Sequence, residues 1–477
     1  MTARFDAIVI GAGPAGAEAA IAAARHGRRV AVLDEQPAAG GQVWRAPVGG
    51  FAGKGDADHR AGDDLRERLA ASPATTQFGR RVWSVVGPGL GRDTGFRVDA
   101  LGPDGNESLE APALVVATGA HERVTPFPGW TLPGVIGLAA ATVLLKSHGA
   151  APGARVVVAG CGPLLAVVAA GLVAAGVEIA AIVDRAARRD WAMRLPALLG
   201  RPSLALRGAM LAGRARLAGA PFFAAHGVRR AEGEEAVRRV VIGPVDAQGA
   251  PIAGQERAFD CDALVVGHGL TTACEVTRLM RAEHRYDRLR GGWMPVVDQA
   301  FRTTVEGLYA VGDGAGVRGQ IMASLAGRRA GLAIAAGQGA DVAQECARID
   351  RALVRAAPFS DAMASLMAQR PAEVAAIAAG TVVCRCEDVT RGEIDAAITD
   401  GARDIDQLKH FTRCGMGPCQ GRSCSDAAEE LMAAALNVSR ETVGRWTGRP
   451  PLRPVALGEM IGAFDYADIP IPTPAPL

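Results

Sequence analysis

"DAIVIGAGPAGAEAAIAAARHGRRVAVLDE" runs from Asp6 to Glu35. It reads as an apolar strand, a glycine turn, an alanine-rich helix and a second strand ending in acid. Gly11 permits the tight turn. Gly13 lets the backbone approach a pyrophosphate, and Gly16 lets the helix pack on the strand. Pro14 and Ala15 open a helix whose N-terminus faces phosphate charge. Asp34, with Glu35 beside it, is placed to hold an adenosine ribose hydroxyl. A lone G-x-G-x-x-G is weak. Here the strand, the helix and the acid all fall at the right distances, which sets this stretch apart from an ordinary strand–turn–helix.

The 477 residues exceed one core, so two to four domains are expected. Abundant glycine and alanine with few aromatics suit an α/β nucleotide-binding protein with small residues under its helices. A net charge of +2 and no basic run argue against nucleic acid as a partner. No stretch reaches the roughly 18 apolar residues of a membrane span. "AIVI" is too short for a signal-peptide core. The reading is a cytoplasmic protein, with peripheral contact to an acceptor at the inner face of the membrane left open. In a reducing compartment, clustered cysteines mean metal or redox chemistry more often than structural disulfides.

Three further stretches extend the pattern: "GGQVWR" (Gly40–Arg45), "LVVATGA" (Leu114–Ala120) and "TVEGLYAVGDGAG" (Thr304–Gly316). With the first loop they resemble the two-dinucleotide-domain flavoprotein disulfide reductases. That resemblance implies a flavin-binding role for Gly312 and Asp313, for Thr118 and Gly119, and for Gly41 and Gln42. "RVVVAGCGPLLAVVAAGLVAAGVEIAAIVD" (Arg155–Asp184) repeats the plan, but Leu165 stands at the third glycine position. The fold signal there is strong and the NAD(P) signal weak. His268 reads as a satisfied turn histidine. The chain has no C-x-x-C, and Cys161, Cys261, Cys274 and Cys346 read as small buried hydrophobes. Thiol–disulfide exchange is thereby disfavoured.

Beyond Ala330 a helical connector is expected, with breaks near Gly337–Gly339 and at Pro358 and Pro371. Then come "VCRCEDVT" and "FTRCGMGPCQGRSC", holding Cys384, Cys386, Cys414, Cys419 and Cys424. Thr390 with Glu393, Asp404 or Asp406, and Asp426 with Glu429 mark helix starts, so the thiols sit in loops between short helices. A 2Fe–2S cluster needs four thiolates. Structural zinc competes, but zinc cages favour C-x₂₋₄-C over C-x-C. The stretch resembles the bacterioferritin-associated ferredoxin-like 2Fe–2S module. Laid on that pattern, the ligands are Cys384, Cys386, Cys419 and Cys424, with Cys414 as the alternative. Gly415, Gly417 and Gly421 would turn N–H groups toward the sulfurs, and Arg385, Lys409, Arg413 and Arg422 could offset cluster charge.

Over nearly its full length the chain resembles the α subunit of heteromeric bacterial amine dehydrogenases: opine oxidases, D-hydroxyproline dehydrogenases and hydrogen cyanide synthase. "GAGPAG", "GGQVWR", "GWTLPGV", "GCGPLL", "YAVGD", "CRCEDVT", "FTRCGMGPCQGRSC" and "RPPLRPVALGEM" carry the resemblance. It implies an α/β chain with two interleaved Rossmann-like domains and a small helical C-terminal 2Fe–2S domain. The expected first, FAD-type domain covers 1–120 and 298–335, and the second 121–297. The connector covers 336–379, the cluster domain 380–440 and a tail 441–477. The resemblance also implies a glycine-oxidase-like β subunit that binds FAD and oxidises a C–N bond, FMN at the subunit interface, and a quinone or respiratory-chain acceptor. The α nucleotide is FAD, NAD or ATP, since the same glycine scaffold holds any of them. Two alternatives remain: a self-contained NAD(P)H-dependent reductase and a non-catalytic iron–sulfur scaffold.

Overall fold

The computed structural model describes residues 3–49, 55 and 57–461; the end of the expected tail lies outside them. The opening stretch forms the strand Ala7–Ile10, the helix Pro14–Arg25 and the strand Val30–Asp34. These strands lie inside a five-stranded parallel sheet ordered Leu308–Ala310, Ala113–Val116, Ala7–Ile10, Val30–Asp34, Thr75–Phe78. The three middle strands are buried throughout, as continuous apolar runs predict for a parallel sheet covered on both faces.

A late helix, Gln320–Ala336, completes this unit by packing on Pro14–Arg25. The two backbones nearly touch. A Cβ built at Gly327 would lie 1.9 Å from the Ala15 carbonyl oxygen, and one at Gly331 2.2 Å from that of Ala19. The alanine and glycine of both helices therefore have a packing cause: nothing larger fits the seam.

The chain crosses to the second unit through Ala120–Glu122 and returns through Leu270–Thr272, which pair antiparallel. Between them lies a second parallel sheet: Val135–Gly137, Ala263–Val266, Arg155–Gly160, Glu178–Asp184, Phe222–Ala224. The first unit is thus split around the second.

The connector differs from expectation at one point. Helix Ala343–Leu366 runs without a break through Pro358. A proline removes one helical bond, but here the carbonyl freed four residues earlier belongs to Val354, which is exposed to solvent. One turn after Pro358, Asp361 takes a two-pronged bond from Arg318 (2.7 and 2.8 Å) that fastens the helix to the first unit.

The C-terminal unit pairs Val382–Cys384 with Val389–Thr390 and adds helices Arg391–Thr399, Ile405–Thr412, Ser425–Leu436 and Arg440–Val443. The Thr390–Glu393 capping box and the Asp404 cap both form. The third helix also opens where expected, at Ser425, but without a side-chain cap. Cys424 occupies the cap position, and Asp426 and Glu429 turn inward to buried arginines.

Gly327→Val should lower stability by about 2–4 kcal/mol, because the helix pair must part to admit the side chain. Gly213→Ala, in a helix where a Cβ meets nothing within 4 Å, should raise it by about 0.5–1 kcal/mol. Thermal unfolding of both variants checks the seam.

Candidate nucleotide site and thiol cluster

The first glycine loop is built by packing and hydrogen bonding together. Gly11 holds φ +98, and its amide donates to Leu33. A Cβ at Gly16 would fall 1.8 Å from the Gly11 carbonyl oxygen, so the protein itself demands that glycine. Gly13 is different. Its φ is −67, and a Cβ there would meet only the Gly41 Cα at 3.7 Å. Neither backbone nor packing requires glycine at 13, and the missing side chain leaves room for a ligand to approach the backbone.

Pro14, Ala15 and Gly41 close around the same loop. A Cβ at Gly41 would lie 2.9 Å from the Gly13 Cα, and one at Gly312 2.8 Å from the Ala15 Cβ. Asp313 accepts from the Arg318 and Gly319 amides through Oδ1 at 2.9 and 2.8 Å. Neither bond uses Oδ2, so that oxygen is available to a ligand hydroxyl. Thr118 donates to the Ala273 carbonyl at 2.6 Å and, with Gly119, abuts the turn around Gly314. Gln42 accepts from Arg45 at 2.8 Å.

Asp34 also holds the loop together. Its Oδ2 accepts from the Ala12 amide at 2.6 Å and its Oδ1 from the Gln36 amide at 2.8 Å. Burial pushes this carboxyl up, and the two N–H groups hold it down. These two bonds fix the glycine loop, and each oxygen keeps a second lone pair for a ligand. Glu35 beside it is exposed. Arg45 also belongs to this site, donating to Gln36 at 2.6 Å. It was legible only as part of "GGQVWR".

In the second unit the corresponding crevice is occupied by the chain itself. A Cβ at Gly162 would lie 2.7 Å from the Met367 Cγ, and one at Gly269 2.2 Å from the Met367 carbonyl oxygen. That carbonyl accepts from Arg123 at 2.8 Å. Arg185 donates to the Ala368 carbonyl at 2.9 Å and to Glu373 at 2.7 Å. Asp184, at the ribose position, accepts from Trp191 and from its own turn. Leu165 is buried in the core beneath. His268 takes the Thr125 amide at 3.3 Å, and burial pushes its pKa down to about 4, so it is neutral.

The thiols gather as a buried trio and a half-buried pair. Sulfurs of Cys384, Cys414 and Cys424 all lie within 4.8 Å of one another. Cys386 and Cys419 are hydrogen-bonded neighbours. Cys414, which the ferredoxin-like pattern places just before the ligand turn, therefore touches two of the expected ligands. Hydrogen bonds from Cys414 and Cys424 draw the Cys384 thiol down to about 2; the bond to Cys384 raises Cys414 and Cys424 in turn. The three sulfurs are close enough to share one ion between them. This donor set fits a thiophilic metal centre.

The Gly415 N–H bonds the Cys384 sulfur as expected, and packing also requires the glycines of this loop. Gly417 would strike the Cys386 Cβ at 2.2 Å if it carried a side chain, and Gly415 and Gly421 would strike the Trp446 ring at 2.8 and 2.5 Å. Arg422 pairs with Glu275 at 3.0 Å, and Glu275 with His121 at 2.9 Å. The thiol loop is thereby tied to the crossing strand that begins next to Gly119. Arg385 lies over the Trp130 ring at 5.8 Å, and Arg413 pairs with Glu387 at 2.8 Å.

The model of the pyridine nucleotide-disulphide oxidoreductase family matches residues 5–340, and that of the sarcosine oxidase A3 domain residues 369–463. An opine oxidase subunit of Rhizobium meliloti is 35% identical over 96% of this chain and 98% of its own. The chain belongs to the family of that opine oxidase subunit. Hydrogen cyanide synthase subunit HcnB of Pseudomonas aeruginosa, a further relative, is 33% identical over 94% of this chain and 96% of its own. The fold of the family member agrees with the crystal structure of L-proline dehydrogenase from P. horikoshii, with TM-score 0.70 and 20% identity over 96% of this chain and 80% of that one. Among the described residues no helix is long and apolar enough to cross a membrane.

Gly13→Val should fold normally yet purify with little bound nucleotide, whereas Gly16→Val should fail to fold. Circular dichroism and chromatography of the denatured supernatant separate the two. Full nucleotide content in folded Gly13→Val would place the ligand elsewhere.

Proposed function

We propose that this chain is the nucleotide-binding, electron-transferring subunit of a heteromeric dehydrogenase acting on the C–N bond of an amino-acid-like substrate. The observation that carries the reading is the filled second crevice. With Met367 against Gly162 and no C-x-x-C pair, the chain lacks the hydride entry of a disulfide reductase. The relatives are named as subunits of opine oxidase and hydrogen cyanide synthase. Electrons then enter from a flavin-bearing, glycine-oxidase-like partner, with FMN at the interface, and leave for a quinone or respiratory-chain acceptor. Exposed apolar residues on the helix Pro202–Leu217, namely Leu206, Met210 and Leu217, with Leu199 on the short helix before it, are a surface for such a partner.

The first cradle holds FAD or another adenine nucleotide in this reading. Gly13 admits the pyrophosphate, the helix beginning at Pro14 faces its charge, and Glu35 and the free oxygen of Asp313 take hydroxyls. Cys384, Cys386, Cys419 and Cys424 hold a 2Fe–2S cluster, with Cys414 buried against it. The cluster, when bound, supplies one-electron transfer. The chain's own part is positional. Trp446 covers the glycines of the thiol loop, and its ring nitrogen donates to the Ile405 carbonyl at 2.9 Å. Arg422 brings positive charge beside Cys419 and fixes the loop to Glu275.

Serine replacements separate the ligand sets. Cys384→Ser, Cys386→Ser, Cys419→Ser and Cys424→Ser should each lose iron and acid-labile sulfide. Cys414→Ser should keep both and shift the visible spectrum. Loss in Cys414→Ser with retention in Cys419→Ser would exchange those two, and zinc without sulfide would remove the cluster.

Anaerobic stopped-flow mixing tests the route. The isolated chain should show no rapid visible bleaching with NADH or NADPH, whereas the complex with its partner should bleach with opines or hydroxyproline isomers. Rapid bleaching of the isolated chain by NAD(P)H would instead favour a self-contained reductase.

A further inference from the structure

A cavity of about 700 Å³ opens where the two dinucleotide units meet the connector. Trp44 forms one wall, and Gly200 and Arg201 a second. The start of helix Gln320–Ala336 is the third, and helix Ala343–Leu366 closes it through Ala352 and Arg355. Its lining is apolar at Trp44, Ile321, Leu325 and Ala352. The polar lining is unsatisfied. Among the described residues, the side chains of Arg201, Gln320, Ser324 and Arg355 have no hydrogen-bond or ion-pair partner, and no Asp or Glu lines the space.

The rim has the same two characters. Leu199, next to Gly200, is 67% exposed, and Val354, next to Arg355, is 74% exposed. Met193 and Leu195 before them, and Leu206 and Met210 one turn apart on helix Pro202–Leu217, are exposed as well. That helix has a single buried residue, Ala215, so most of its surface is uncovered. Charge runs one way. Between Arg188 and Leu217 stand seven arginines and one acid, Asp190, which Arg370 holds at 3.2 Å. Arg207 is taken by Asp58 at 2.9 Å and Arg194 by Ser365 at 2.8 Å. Arg188, Arg189, Arg201 and Arg214 are left without a partner among the described residues, as are Arg351 and Arg355 on the connector helix.

We propose that the flavin-bearing partner subunit inferred above, on which this step rests, docks over the cavity through an acidic face and sets a large apolar side chain into the space beside Trp44. Arginine, methionine and tryptophan are enriched where proteins meet, and a notch within an exposed apolar area is where an anchor residue sits. Unpaired guanidinium groups around that notch select carboxylates opposite them. A second copy of this chain would bring like charges together. A lipid surface would answer the charge, but a flat bilayer does not reach into a notch walled by three units. Position agrees with electron entry. Trp44 belongs to the Gly40–Arg45 loop, whose Gly41 closes on Gly13, so a partner seated here borders the first cradle.

The tagged full chain, purified from its own cells at low salt, tests this. The expected result is co-purification of a flavoprotein whose flavin bleaches with an amine substrate, and its release as salt rises, because the pairing is between exposed charges. Arg201→Glu/Arg355→Glu should abolish co-purification, and Arg201→Lys/Arg355→Lys should retain most of it. Ser324→Trp, which fills the cavity, should weaken the complex about tenfold or more. All three variants should keep the thermal stability and the bound nucleotide of the parent chain. A flavoprotein that stays attached through salt and through the charge reversal overturns the docking site while leaving the partner in place. A chain that purifies alone overturns both. Ser324→Trp without effect overturns the anchor. Binding to phosphatidylglycerol vesicles, or self-association in sedimentation, that the reversal abolishes while the flavoprotein stays attached assigns the surface to lipid or to a second copy and overturns the proposal.

Discussion

Met367 occupies the place where a dinucleotide would approach Gly162, and the arrangement of the whole chain follows from that contact. The residues after it stay in the crevice: Ala368 and Glu373 on Arg185, Gln369 on Arg288, and Arg370 on Asp190 at 3.2 Å. With Met367 at its phosphate loop, this nucleotide fold is a socket, and the thiol-bearing unit is what the socket holds. Trp130, from the second unit, adds a bond to the Val382 carbonyl at 2.7 Å, beside Cys384.

Charge completes the fastening. Arg440 meets Asp426 at 3.0 Å, Glu429 at 2.5 Å and Glu430 at 2.8 Å, while Arg123 meets Asp426 at 2.6 Å. Burial pushes Asp426 up, but Arg123 and Arg440 outweigh it and hold the carboxyl at about 2. Buried pairs of this kind add little net stability, yet removing one partner costs about 3–5 kcal/mol. They therefore act as a key: the unit docks in the orientation that pairs Arg440 with Asp426, Glu429 and Glu430 and Arg123 with Asp426. In that orientation Arg422 reaches Glu275 and the thiol loop stands over the strand leading from Gly119.

The same logic explains which features were legible before folding. Gly11, Gly16 and the strands around them follow from local sterics and from apolar runs, and the interleaved fold appears as read. Thr390 and Asp404 cap their helices because a side chain reaches its own backbone three residues on. Asp426 and Glu429 carry the same local pattern but are taken by Arg440, ten or more residues away, a competition no window of sequence contains. Pro358 reads as a break, yet the helix continues because the lost bond falls at exposed Val354 and the next turn is clamped by Arg318.

Local chemistry is written in the order of residues: two strand–glycine–helix units, an acid after the second strand, and five thiols, three of them in a glycine-rich loop. Period and spacing act over a few residues, so they survive without knowledge of the rest of the chain. The task given to each of those groups came only with packing. Packing turned Asp34 onto the Ala12 amide and left Glu35 outside, filled the Gly162 loop with Met367, and brought Cys414 to Cys384 and Cys424. Each outcome depends on which distant groups compete for the same few ångströms of space or the same hydrogen bond, and that competition is settled only when the whole chain has come together.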